Sequence, residues 1–232
     1  MLTAEMIAEL PVPVRRSLER SGVVGLPIPQ QVEVTQTGAI QSSPESKWLD
    51  FTARETYTLD PPSFTWDARF RIAGIRVGRA TDSFTDGRGG MRVRLLGLMT
   101  VVDETGPEID QGSLVRWLNE TMWFPAVWAT DVITWEAIDD RRARGRVQVG
   151  DLAVDAEFHF DDEGRLVNFH ALRYRADGDD LTLTPWSTPI SSHGSFHGVE
   201  LPVGGTAAWA LDEGDFHYIR IEATDVRYLT SA

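Results

Sequence analysis

The sequence predicts a mainly β protein: a single large, curved antiparallel sheet of about eleven strands, forming a half-barrel plugged by a few short helices. Three observations predict this fold. Apolar and polar residues alternate with period two through most of the chain, as in strands with one buried face. The connections between these segments are short, which favours antiparallel neighbours. A sheet with so many strands must curl or close.

The alternation is clearest in two segments, 64–72 and 152–160. In the first, apolar residues alternate with polar ones from Phe64 to Ile72, directly after the turn that Pro61-Pro62 predicts. Two further assignments follow from the glycine pattern. Residues 86–90 are predicted to turn one strand back on the next, and residues 195–201 are predicted to form one strand.

Two regions break the alternation and are predicted to be helical. Thr3 caps a first short helix, and a second one ends near Gly22. A central helix is expected over residues 110–129, with Asp110 or Ser113 as its N-cap. Four large apolar side chains recur there at helical spacing: Leu114, Trp117, Leu118 and Met122.

No linker, low-complexity tract or internal repeat divides the chain, so residues 1–232 are expected to form a single β-rich domain. Within it, the helices of 1–22 precede a first strand set over 30–102. The central helix, 110–129, then separates this set from a second one over 132–229. The helices are the natural plugs for the concave side of the sheet.

Composition excludes several classes of function. The net charge of −13 opposes binding to phosphate backbones, so no nucleic-acid partner is expected. The absence of cysteine excludes disulfides, thiolate catalysis and cysteine-based metal sites. Because Lys47 is the only lysine, chemistry that needs a lysine nucleophile would have to use it.

The N-terminal residues have neither a basic segment nor a long apolar one, so no signal peptide is expected and the predicted location is the cytoplasm. No run approaches the roughly 18 apolar residues that a membrane span needs. We therefore expect no membrane span.

Cofactor and metal motifs are also missing. No Gly-x-Ser-x-Gly, Gly-x-Gly-x-x-Gly or phosphate-binding loop occurs in a suitable context, so no cofactor is expected. No His-Glu-x-x-His occurs either. In one extended strand, His193 and His197 would lie about 13 Å apart, too far to share an ion unless the chain turns between them. No metal is expected.

The best candidate site is the central helix. Arg116 and Glu120 are four residues apart and can pair, on a face that also carries Asn119 and Trp123. One interpretation is an ordinary surface ion pair, worth a few tenths of a kcal/mol. The other places this face in the mouth of the sheet. Glu120 would then be a catalytic acid or base, with Arg116 holding its charge and Trp123 contacting a ligand.

Two further groups of residues are candidates. Asp82 and Asp86 have the same strand phase, so their carboxylates could share a face and a proton, although turn formation by Asp86 is the favoured explanation. Aromatic side chains with a few polar groups are typical of small-molecule sites. The predicted ligand-binding residues are therefore Trp66, Asp82, Asn119, Trp123 and Trp128.

Several motifs together resemble an uncharacterised bacterial family of unknown function, over roughly residues 11–228. They are Pro62-x-Phe64-x-Trp66-x-Ala68, Asp86-Gly87-x-Gly89-Gly90-Met91, Arg116-x-x-x-Glu120-x-x-Trp123-x-Pro125, His197-Gly198 and Phe216-x-Tyr218-x-Arg220. The motif around Arg116 and Glu120 is the most specific. The architecture is similar to the half-barrel of the periplasmic lipoprotein carriers LolA and LolB. That resemblance implies an apolar concavity of the kind that holds acyl chains.

Three functions remain open at this point. The first is binding of an apolar or amphipathic small molecule on the concave face of the sheet. The second is a cofactor-independent isomerase, lyase or cyclase that uses Glu120, with Arg116, for proton transfer. The third is an interaction protein, for which an exposed apolar patch would matter more than a cavity.

Overall fold

The computed structural model describes residues 1–95, 99–177 and 180–229. Its helices are α1 (Ala4–Ile7), α2 (Val12–Ser21) and α3 (Pro107–Glu120). Two short 3-10 turns, Thr121–Trp123 and Pro125–Ala129, follow α3. Within the described ranges, no helix is both long and apolar enough to cross a membrane.

The remaining elements form one antiparallel sheet, as predicted, but with fourteen strands among the described residues instead of about eleven. The strands are β1 (Gln31–Ile40), β2 (Leu49–Thr58), β3 (Ser63–Ile72), β4 (Ile75–Thr85), β5 (Arg88–Leu95), β6 (Met99–Glu104), β7 (Ile133–Ala137), β8 (Arg142–Val149), β9 (Leu152–Phe160), β10 (Leu166–Asp177), β11 (Asp180–Ser187), β12 (Ile190–Phe196), β13 (Val199–Leu211) and β14 (Gly214–Leu229).

The sheet has two wings joined by the last strand. The first wing runs from β6 at one edge to β1, in reverse sequence order, and the second runs from β13 through β11 to β7 at the other edge. β14 pairs with both β1 and β13 and so connects the wings. β12 lies off this path and pairs with β13. The curled sheet is the predicted half-barrel.

Helix α3 fills the concave side and contacts both wings: β4 and β5 of the first, and β8, β9 and β10 of the second. Its apolar side chains Leu114, Trp117 and Leu118 are fully buried, as predicted. The helix ends at Glu120 and not at 129, so Met122 lies in the following 3-10 turn and is only partly buried. The predicted cap was wrong. The helix begins at Pro107, a residue that suits the first turn because its missing N–H would have no helical partner.

Asp110 has a different role from capping. Its carboxylate accepts hydrogen bonds from the Gly89 N–H at 2.7 Å and from Arg88 Nη1 at 2.9 Å, and so fixes α3 to β5. A Cβ on Gly89 would lie 2.5 Å from Ser113 Oγ and 2.7 Å from the Ile109 carbonyl oxygen. Gly89 therefore lies within the strand and permits a close approach of the helix. The predicted turn over 86–90 is in fact confined to Asp86 and Gly87.

The predicted strand over 195–201 is also wrong. A turn at His197-Gly198 divides it into the end of β12 and the start of β13, and both turn residues have positive φ, 52° and 86°. The apolar residues Phe196, Val199 and Leu201 gave no signal of this turn. Only the glycine at 198 indicated it, because glycine adopts positive φ without steric cost.

We predict that Gly89→Ala destabilises the protein by about 1–3 kcal/mol, because its Cβ would displace the backbone of α3. The matched control is Gly90→Ala in the same strand, where a Cβ would meet no atom closer than 3.9 Å. Thermal unfolding of both variants is the measurement. Equal melting temperatures would show that the contact between Gly89 and α3 is not tight.

Candidate functional site

One row of side chains across the first wing builds the base of the site. Glu55 on β2 lies directly opposite Trp66 on β3, and Trp66 lies directly opposite Asp82 on β4. Because directly opposed residues in a sheet point to the same face, all three side chains point into the concavity. All three residues are buried. The sheet register therefore places two carboxylates in one row beneath α3, on either side of Trp66.

Arg116 of α3 reaches down to this row and bonds three carboxylates. Its Nη2 donates to Glu55 Oε1 at 2.8 Å, its Nη1 to Asp82 Oδ2 at 2.6 Å, and its Nε to Glu120 Oε1 at 2.9 Å. We call these four residues the Arg116 network. The arginine side chain is 13% exposed and its three partners 0–8%. The surface ion pair that was one interpretation of the sequence is thus excluded.

Uncharged side chains outside the Arg116 network also contact its members. Gln36 Nε2 donates to Glu55 Oε2 at 3.0 Å, and Trp66 Nε1 donates to Gln36 Oε1 at 2.9 Å. The Arg116 guanidinium lies 4.9 Å from the Phe64 ring centroid and 5.1 Å from that of Trp66, within range for a cation–π interaction. These contacts hold Arg116 in one position.

The network contains more negative than positive groups. Burial raises the pKa of Glu55 well above its ordinary value, the nearby Glu120 carboxylate raises it further, and Arg116 only partly opposes both effects. Burial likewise raises the pKa of Glu120. One arginine faces three buried carboxylates, so burial and mutual repulsion favour the protonated form of the Glu55–Glu120 pair.

Glu120 Oε2 is the atom at which this network offers chemistry. It is buried and makes no hydrogen bond of normal geometry among the described residues, and the Glu55 and Tyr57 side chains are close enough to affect the pKa of Glu120. The Tyr57 hydroxyl is buried as well, without a hydrogen bond of normal geometry, and burial raises its pKa well above the ordinary value. A carboxyl group whose raised pKa favours the protonated form can serve for hydrogen bonding or proton transfer.

A partly open cavity of about 280 Å³ lies against the network, between the two wings and under α3. Its polar wall includes Asp82, Arg116, Asn119 and Glu120. Most of the remaining lining is apolar: Ile40, Leu49, Trp66, Phe70, Ala80, Met91, Val93, Met122, Trp123, Trp186, Pro189, Ile190, Pro202, Val203, Ala207, Ile219 and Ile221.

Six of the seven predicted site residues line this cavity: Trp66, Asp82, Arg116, Asn119, Glu120 and Trp123. Asn119 Oδ1 accepts from Thr188 Oγ1 at 2.6 Å, and Trp123 Nε1 donates to the Pro202 carbonyl at 3.0 Å, so both have structural bonds as well. Trp128 lies outside the lining. Its ring packs on Phe158, and its Nε1 donates to Thr121 Oγ1.

Three residues of the site were not predicted: Glu55 of the Arg116 network and the cavity residues Arg173 and Tyr218. Glu55 has the strand phase of the buried residues Phe51, Ala53 and Tyr57. An acidic residue in the apolar phase of a strand was the available signal for a buried charge. Asp86, the suggested partner of Asp82, forms the turn instead and is exposed.

The histidines form no comparable site. His159 and His170 lie side by side with ring centroids 4.5 Å apart, outside the cavity lining, and burial lowers the pKa of His159. His193 Nε2 lies 3.0 Å from the Leu166 carbonyl oxygen. Within the described part of the chain, no group of three or more His, Asp or Glu side chains is arranged to hold a metal ion.

Fold and site together define a half-barrel protein in which a buried ion network borders an apolar cavity. The chain belongs to DUF6544, a family of unknown function that matches residues 1–221, so the expected uncharacterised family is confirmed. No protein with a curated description matches the sequence.

Several solved structures are similar to this chain at low identity. A DUF1329 family protein from Desulfovibrio piger is 11% identical, with 94% of this chain and 93% of that chain covered and a TM-score of 0.51. A putative outer membrane lipoprotein-sorting protein domain from Vibrio parahaemolyticus is 9% identical over 94% and 93% of the two chains, with a TM-score of 0.44. A LolA superfamily protein from Nitrosomonas europaea is 13% identical over 100% and 96%, with a TM-score of 0.45.

We predict that Glu120→Gln reduces the pH dependence of stability. A carboxyl pair with raised pKa stabilises the folded state below its ordinary pKa of 4.5, and this stabilisation is lost as the pH rises through the raised value. Glutamine cannot ionise but keeps the acceptor for Arg116. Between about pH 5 and pH 8, the wild type should lose at least about 1 kcal/mol more free energy of unfolding than the variant.

Urea denaturation at each pH is the measurement. Glu222→Gln, which changes an exposed residue of β14, is the control and should follow the wild type. If the wild type and Glu120→Gln have the same pH dependence, the Glu55–Glu120 pair does not retain a proton.

Proposed function

We propose that this protein binds an apolar or amphipathic small molecule in the cavity beside the Arg116 network. The observation that carries this proposal is the exposure of apolar side chains inside the concavity. Leu49, Val93, Ile190 and Ile221 line the cavity and are only half-buried by the protein itself. Burial of this apolar surface by a bound molecule would stabilise the complex by about 25 cal/mol per Å².

The size and composition of the cavity support a small ligand. Its volume of about 280 Å³ is close to the lower end of the roughly 300–1,000 Å³ that is typical of small-molecule pockets. Such pockets combine mostly apolar walls with a few fixed polar groups that orient the ligand. Here the Arg116 network forms the fixed polar wall, since each of its carboxylates is bonded to Arg116.

The proposal is tested by filling the cavity. Ile221→Trp places a large ring in the lining, so we expect binding of the neutral fluorescent probe N-phenyl-1-naphthylamine to weaken by about tenfold or more. Glu222→Trp is the matched control, because it adds the same ring at the neighbouring exposed position of β14. Fluorescence titration measures both, and native mass spectrometry of the freshly purified wild type identifies any bound molecule.

Two results would contradict this function. One is a wild type that neither binds the probe nor carries a copurified molecule. The other is equal probe binding by Ile221→Trp and Glu222→Trp, which would place the probe outside the cavity.

A second candidate function is a cofactor-independent isomerase, lyase or cyclase in the same cavity. The specific observation in its favour is Glu120, a buried carboxyl group in the cavity lining whose pKa is raised by burial. Such a group can deliver a proton to a bound substrate or remove one, while Arg116 stabilises the charge that remains.

The two functions differ in the fate of the bound molecule. If the protein is an enzyme, we expect a molecule that copurifies with Glu120→Gln to change in mass or structure on incubation with the wild type, and to remain unchanged on further incubation with Glu120→Gln. Mass spectrometry and NMR of the extracted ligand detect either change. A ligand that stays unaltered with the wild type supports binding alone.

A further inference from the structure

The cavity contains a second arginine, whose bonding differs from that of Arg116. Arg173 of β10 lines the cavity beside Trp186 and Tyr218. Its Nε donates to the Gly112 carbonyl of α3 at 3.1 Å, and its Nη1 donates to the Tyr218 hydroxyl at 3.4 Å. Its guanidinium carbon lies 5.1 Å from the Trp186 ring centroid. The side chain is therefore fixed on three sides.

All of these partners are neutral. Arg173 forms no salt bridge with any carboxylate in the described ranges, and its Nη2 makes no hydrogen bond within them. Arg116, by contrast, donates from all three of its nitrogens to carboxylates. Arg173 thus brings an uncompensated positive charge to the cavity wall of a protein whose net charge is −13.

The Tyr218 hydroxyl adds a second free donor at the same place. Its oxygen accepts hydrogen bonds from Trp186 Nε1 at 3.1 Å and from Arg173 Nη1. A hydroxyl has two acceptor lone pairs and one proton, so both lone pairs are occupied and the proton remains available. The described residues supply no acceptor for that proton. Arg173 and Tyr218 consequently present donors, and no acceptor, to the cavity.

Helix α3 has a glycine, Gly112, at the point where Arg173 packs against it. A Cβ on Gly112 would lie 3.3 Å from Arg173 Nε and 3.7 Å from its Cγ, so any larger residue at this position would press on the side chain. Gly112 is also one turn before Arg116, on the same face of the helix. The donor pair is therefore close to the Arg116 network but separate from it.

We infer that the ligand is an aliphatic acid whose carboxylate is bound by Arg173 and Tyr218 while its chain lies along the apolar lining. This inference rests on the proposed function and specifies its ligand class. A carboxylate accepts two hydrogen bonds from neighbouring donors, and such bonds are stronger when the donor is charged. Arg116 is unsuited to this role, because the three carboxylates bonded to it already surround it with negative charge and would repel the carboxylate of a ligand.

The test compares three ligands with the same chain: decanoate, decanol and decyltrimethylammonium, titrated calorimetrically into the wild type at about pH 8, where the acid is ionised. We expect decanoate to bind about tenfold tighter than decanol, a difference of about 1.4 kcal/mol. The cationic amphiphile should bind more weakly than decanol.

Two variants test whether Arg173 and Tyr218 bind the carboxylate of decanoate. Arg173→Gln should remove the preference for decanoate and leave decanol affinity within about twofold of the wild type. Tyr218→Phe, a smaller change, should weaken decanoate several-fold without affecting decanol. The control is Arg227→Gln, which removes an equal charge from an exposed arginine bonded to Asp225, and it should retain the preference.

The outcomes distinguish failure of the carboxylate inference from failure of the proposed apolar binding site. If decanol binds the wild type as tightly as decanoate, or if Tyr218→Phe and Arg173→Gln weaken both ligands equally, the carboxylate inference is wrong and the apolar site stands. Tighter binding of the cationic amphiphile overturns it in the same way. If none of the three ligands binds, the proposed function fails together with the inference.

Discussion

The buried guanidinium of Arg116 is the constraint on which the arrangement of the site depends. It joins α3 to two strands of the first wing through Glu55 and Asp82, so the position of the helix and the shape of the cavity are set by the same bonds. Such a network contributes little net stability, because each charge is desolvated, yet losing one partner leaves buried charges unpaired at a cost of about 3–5 kcal/mol. The network therefore specifies one position of α3 more than it strengthens the fold.

The cavity acquires its chemical character from two arginines in opposite electrostatic situations. Arg116 is outnumbered by carboxylates, so its surroundings are acidic, and burial raises the pKa of both Glu55 and Glu120. Arg173 has only neutral partners. A molecule in the cavity would lie between an acidic network and a positive group that has no acidic partner. This polarity gives a preferred orientation to any ligand with unlike ends, whereas the apolar walls alone would accept either orientation.

Much of the fold could be predicted from the sequence because strand alternation and turn residues are local signals. The segments 64–72 and 152–160 both form strands. The helical spacing of Leu114, Trp117 and Leu118 likewise identified the central helix. What depends on three-dimensional neighbours was missed. Asp110 has the residue type of a cap but bonds to β5, and Glu55 became significant only once the register placed it opposite Trp66. Arg173 resembles any other arginine of an alternating strand until its lack of a carboxylate partner is seen.

The position of β14 has a consequence for how the protein is made. Both wings precede this strand in the chain, and it pairs with β1 on one side and β13 on the other. During translation, β1 and β13 therefore have unpaired edges until β14 leaves the ribosome, and such edges invite pairing with other chains. The β1–β14 pairing also joins residues nearly two hundred positions apart, from Gln31 with Leu229 to Ile40 with Ile219. Contacts this distant in sequence form slowly, so the nascent protein is a candidate client for chaperones that shield exposed strands.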